Sequence, residues 1–175
     1  MIKVQVHVEE IQRRLDTFRQ RLKNTRPLMH EIADIMYDST IQNFRAGGRP
    51  KWVESKAAIK RGGQTLIDKG NNGGLLGSIH EAYGADYAMV GTNKAYAAIH
   101  QFGGTIKHKA RRGVPVHFKK NGKGHLFAKS DEADYGMKLN YKGYKTSMPA
   151  RPYFKLQPDE LANIEATSMS YLEDK

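Results

Sequence analysis

The chain has 175 residues, 39% of them hydrophobic, with 29 Lys and Arg against 18 Asp and Glu, no cysteine and a mean hydropathy of -0.68. The length suits one domain of roughly 100–200 residues, the missing cysteines exclude disulfides and cysteine-ligated zinc, and no apolar run approaches the roughly 18–20 residues of a membrane span. The net charge of +11 implies either an acidic partner, nucleic acid first, or a solvated basic surface that meets acidic proteins, and its spread along the chain favours the second.

At the N-terminus Ile2, Val4, Val6 and Val8 alternate with Lys3, Gln5 and His7. That is the period of a half-buried strand, not of a signal-peptide core, and it argues against a secreted or membrane-bound product. A helix follows from Glu9-Glu10, whose carboxylates suit the positive end of its dipole. Its apolar stripe of Ile11, Leu15, Phe18 and Leu22 is narrow, of coiled-coil type, and five basic residues surround it. Two readings stand: an arm for nucleic acid or a partner, or, preferred, a helix packed on the domain with its basic face in water. Pro27 opens a second helix in its first turn, and the broader stripe of Leu28, Ile32, Ile35, Met36 and Phe44 marks it as the main core helix. Gly47-Gly48-Arg49-Pro50 ends it in a loop.

Trp52 to Lys60 predicts another short helix, and Asn71-Asn72-Gly73-Gly74 a flexible loop. Ile79–Tyr83 and Tyr87–Gly91 predict an antiparallel hairpin. The stretch Tyr96-Ala-Ala-Ile-His100-Gln101-Phe102-Gly-Gly104 then predicts a short helix closed by glycine, with Ile99 and Phe102 on one face. Residues 107–147 carry eleven Lys and Arg against three acids. Val114–Phe118 and Gly124–Phe127 form a predicted hairpin around Asn121-Gly122. Tyr135 to Tyr144, mixing tyrosine, lysine and glycine, reads as an extension of the sheet or a basic loop. Pro149 and Pro152 hold the chain extended, and Pro158-Asp159-Glu160 starts the last helix. The order of elements gives an α+β fold: an antiparallel sheet packed against a long helix, with N-terminal and C-terminal helices. The expected layout is a single domain over 1–175, with an N-terminal strand and basic helical arm (1–26), a core (27–106), a basic insertion or extended hairpin (107–147) and a C-terminal segment with helix (148–175).

Nucleophile-elbow, zincin and phosphate-loop motifs are all missing. His100, His108, His117 and His125 lie eight or nine residues apart, unlike the close pairs of most metal sites. No metal or cofactor is therefore expected. His100 reads as a hydrogen-bonding side chain that pins the Gly-Gly turn, with a general base in a small basic hydrolase as the rival. Arg151 suits a forked ion pair with a carboxylate, within the fold or across subunits.

Four blocks in order carry a family resemblance. Val90-Gly-Thr-Asn93 followed by Tyr96–Gly104 resembles the signature of the phage virion morphogenesis family, which covers tail completion proteins of contractile-tailed phages. Thr65–Gly70 with Leu75–Ile79 resembles that family's leucine, aspartate, glycine segment, and Met148-Pro-Ala-Arg-Pro-Tyr-Phe154 resembles its Pro-Ala-Arg-Pro-aromatic segment. Asn43-Phe44 and Pro50-Lys51-Trp52 sit where that family places an Asn-Phe and a Pro-x-x-Trp. The likeness spans roughly residues 40 to 155, and 107–147 looks longer than in the family.

The resemblance implies a non-enzymatic virion assembly protein that completes tails and joins heads to tails at the neck, present in the host cytoplasm during assembly and then in the virion. Its partners would be further copies in a ring, with a hexamer as the first guess, and proteins of the head–tail junction and tail. Candidate contact residues are Tyr96, His100, Gln101, Phe102, Arg151, Tyr153 and Phe154. Lys119, Lys120 and Lys123 are the candidates for non-specific DNA contact in the ring lumen. The rival functions are a plain nucleic-acid-binding protein and a His100-dependent hydrolase.

Overall fold

Residues 8–68, 74–122 and 124–173 are described by the structure, a computed structural model of the chain. The fold is α+β, with five helices and antiparallel strands among the described residues. The described chain divides into two compact units. One takes in the residues up to Phe102 together with those from Pro149 onward, and the other is Gly103–Met148.

In the first unit, helix α1 (Val8–Lys23) has Glu9 and Glu10 in its first turn and Arg21 and Lys23 in its last, both favourable to its dipole. The expected strand at 2–8 lies outside the described residues except for Val8, which begins the helix instead. Helix α1 packs along the C-terminal helix α5 (Pro158–Glu173), where the Arg21 guanidinium lies 5.6 Å from the Tyr171 ring centroid. Its apolar residues Ile11, Leu15 and Leu22 stay exposed.

Helix α2 (Arg26–Ala46) is the axis of this unit, with Pro27 in its first turn and Gly47 as its left-handed cap at φ 66°. The hairpin of β1 (Ile79–Tyr83) and β2 (Ala88–Thr92) packs on it. Helix α3 (Lys56–Arg61) is shorter than the predicted 52–60 because Ser55 caps it, its Oγ accepting from the Ala58 amide at 3.1 Å. Trp52 instead turns back onto α2. Gly48 permits this: a Cβ there would sit 2.5 Å from Trp52 Cδ1 and 2.6 Å from the Pro50 carbonyl oxygen, at a φ of +100°.

The core gathers Phe44, Trp52, Leu75, Leu76, Ile79, Ala97 and Tyr153. Trp52 meets Phe44 edge-on, with centroids 5.8 Å apart, and Tyr153 lies 5.1 Å from Phe44 on a tilt. The buried face of α2 also contains Ser39, Thr40 and Asn43, polar residues absent from the predicted stripe.

The second unit holds two small sheets. Strand β3 (Gly104–His108) pairs with β7 (Tyr144–Met148), and β4 (Arg111–Asn121) lies between β5 (Gly124–Phe127) and β6 (Tyr135–Tyr141), all antiparallel. Asn121 pairs with Gly124, so the turn falls one residue later than predicted. The stretch from Tyr135 to Tyr141 is regular strand. None of the described residues of this unit is buried.

Candidate functional site

The short helix α4 (Ala97–Phe102) and the extended segment 149–155 are bolted together mainly through backbone groups. The Arg151 amide donates to the His100 carbonyl at 2.7 Å. Gln101 Oε1 accepts from the amides of both Tyr153 (2.9 Å) and Phe154 (3.1 Å). The Tyr153 hydroxyl donates to the Ala97 carbonyl at 2.9 Å. An extended segment rich in proline has no sheet partner for its amides, so Gln101 supplies the acceptor that a neighbouring strand would.

From the other side Asn43, fully buried on α2, donates through Nδ2 to the carbonyls of Tyr153 (2.9 Å) and Lys155 (2.8 Å). Its Oδ1 accepts from Arg49 Nε at 2.8 Å. Arg49 continues to Glu160 at 2.6 Å, and Glu160 accepts from the Ser39 hydroxyl (2.5 Å) and the Gln157 amide (2.6 Å). Glu160 thus reaches back to the residue that opens α5, as a carboxylate in the first turn of a helix can. Burial alone would raise the Glu160 carboxyl; the bonds from Ser39, the Gln157 amide and Arg49 outweigh it and hold it below the ordinary value.

The predicted motif residues therefore part into two groups. Tyr153 (0% exposed) and Arg151 (3%) lie inside the fold, whereas Phe102 (77%) stands on the surface with Tyr96. Burial pushes the Tyr153 phenol up to about 12. Among the described residues of the chain Arg151 meets no carboxylate, and its Nε donates to the Val53 carbonyl at 3.0 Å. The His100 backbone carbonyl fastens α4 to the 149–155 segment by accepting from the Arg151 amide. The imidazole meets Tyr96 edge-on at 5.9 Å, and its buried Nδ1 has no hydrogen-bond partner among the described residues. Burial, and then the Arg151 charge, lower its pKa, so it is neutral at pH 7. Phe154 is half-buried against the core.

Asn43, Arg49 and Glu160 were missed as a unit by sequence reasoning. The available signal was local: a polar residue inside an apolar helix face, and a glutamate three residues after a helix start.

The candidates for DNA contact, Lys119 and Lys120, are exposed on β4; Lys123 lies outside the described residues. Among the described residues, His108, His117 and His125 form no close group of metal donors. The group that does form is His30, Asp34 and Glu81, whose donor atoms lie within 4.8 Å of one another, all exposed. No described helix is long and apolar enough to cross a membrane.

The first unit is a helix-spined α+β fold in which Ala97, His100 and Gln101 fasten the extended 149–155 segment. The chain belongs to the phage virion morphogenesis family, whose profile matches residues 6–173. It is similar to the Mu-like prophage FluMu G protein 2 of Haemophilus influenzae, with 33% identity over 174 residues, covering 99% of this chain and 97% of that protein. It is also similar to the putative capsid assembly protein G of Escherichia phage Mu, with 34% identity over 126 residues, 65% of this chain and 78% of the relative. No solved structure matches it.

Proposed function

We propose that this protein completes the phage tail and joins it to the head, acting at the neck as a ring of copies and not as an enzyme. The family and the capsid-assembly name of its phage Mu relative support an assembly role. One observation carries the reading further. The Gly103–Met148 unit buries none of its described residues, yet exposes Ile106, Leu126, Phe127 (78%) and Met137. Apolar surface on that scale marks an interaction site, and aromatics are the usual anchors of buried interfaces. A ring follows from heterologous contacts that close, with a hexamer as the working stoichiometry. The protein then passes from the host cytoplasm into the virion, and a basic lumen would accommodate DNA.

The test is electron microscopy of lysates from an induced prophage lacking this gene, with and without a plasmid copy. Full heads beside separate tails, rejoined by the plasmid, are the expected result. Joined, infective particles in the deletion strain would end the head–tail reading. Native mass spectrometry of the purified protein tests the hexamer.

A further inference from the structure

The second unit carries a charge asymmetry that only its strand pairing brings out. Residues 104–114 and 139–148, which the register brings side by side, hold six Lys and Arg and no Asp or Glu. Residues 115–138 hold five Lys against Asp131, Glu132 and Asp134, which offset most of their charge. Asp134 even turns onto the Lys120 amide, accepting its hydrogen bond at 2.6 Å.

At the first end the pairing places like charges together. Lys107 is the register partner of Lys145, and cross-strand partners share a face, so two like charges leave the ladder side by side. The next pair, His108 and Tyr144, stacks with centroids 4.2 Å apart. The Lys109-Ala110 and Lys142-Gly143 connections then meet back to back. A Cβ on Gly143 would lie 3.0 Å from the His108 carbonyl oxygen and 3.1 Å from the Ala110 nitrogen, so glycine lets the two basic turns close on each other. The result is a hollow of about 860 Å³ whose lining includes Lys107, Lys109, Arg111 and Lys142. None of these four, nor Lys145, forms an ion pair among the described residues.

We propose that this hollow, and not the Lys119–Lys123 hairpin tip, is a sequence-independent site for the phosphate backbone of duplex DNA. Opposed lysines with no counter-charge are unfavourable until an anion lies between them. A protein partner is the weaker fit, because lysine is depleted at protein interfaces while non-specific DNA binding is built from Lys and Arg on phosphates. The inference rests on the assembly reading for its biological setting only, since binding is a property of the isolated chain.

The experiment is fluorescence anisotropy of the full-length protein with duplexes of several sequences between 50 and 200 mM salt. Binding should be equal across sequences and weaken steeply with salt. The triple variant Lys109→Gln/Arg111→Gln/Lys142→Gln should reduce the slope of log K against log salt by about three, at roughly one per phosphate contact. Lys109→Arg/Lys142→Arg should keep wild-type binding, and Lys119→Gln/Lys120→Gln should change it less than about twofold. Equal losses in both Gln variants, or no DNA retention at 50 mM salt, would overturn the assignment. So would polyglutamate of matched charge binding as tightly as duplex, which would mark the surface as one for an acidic protein. Since these outcomes need no ring, a failed gene-deletion test and a failed binding test remain separate results.

Discussion

Asn43→Leu removes the side chain that joins α2 to the 149–155 segment from below. The substitution nearly preserves volume, so its cost comes from what it strands. The carbonyls of Tyr153 and Lys155, now satisfied at 2.9 and 2.8 Å, lose their donor. A buried acceptor left unpaired costs about 1–3 kcal/mol, so two cost roughly 4 kcal/mol together. Arg49 loses Oδ1 but keeps Glu160 and the Ser39 carbonyl, which limits any further loss. At ~2–4 °C per kcal/mol for a chain of this size, calorimetry should record a fall of roughly 8–16 °C. Asn43→Asp separates donor loss from shape. It aims an acceptor at two carbonyls at pH 7, and should gain on Asn43→Leu below about pH 4, where a protonated carboxyl can donate again. If Asn43→Leu melts within 2 °C of wild type, the clamp does not hold the segment and the reasoning fails.

Glu160 titrates below its ordinary value in the fold, so its stabilisation is fully present above the unfolded carboxylate pKa near 4.5 and is lost as pH falls through the folded value; in urea titrations from pH 7 to 3 the gap between wild type and Glu160→Gln should narrow on acidification, and a constant gap would refute the linkage. Gly48→Ala should be severely destabilising, since its methyl would strike Trp52 and the Pro50 carbonyl at a φ unfavourable to any side chain; a soluble variant with wild-type tryptophan fluorescence would show that the loop can relax. Phe102→Ser, at an exposed position, should shift melting by no more than about 0.5 kcal/mol yet reduce plasmid rescue of head–tail joining; full rescue would remove the α4 tip from the contact surface.

The elements and their punctuation were legible along the chain. Pro27, Gly47, Gly103 and Pro158 mark helix boundaries because their backbone preferences act within a few residues, and the period of the apolar residues separates α2 from the hairpin that packs on it. The order of four short motifs was enough for the family. What those motif residues do emerged only on packing. Tyr153 and Arg151 look like interface anchors in the sequence because both are large and flanked by prolines, yet they are buried, because Gln101, Ala97 and Val53 supply partners from distant parts of the chain. Ser39, Asn43, Arg49 and Glu160 are separated by up to 121 residues and become a network only when α2 and α5 pack together. The same holds for charge. Along the chain, residues 107–147 are basic with their three acids confined to 131–134, and the sequence does not say which lysines those acids neighbour. Antiparallel pairing folds 107–111 onto 141–145 and leaves the three acids at the far end, because register, not sequence distance, sets which charges become neighbours.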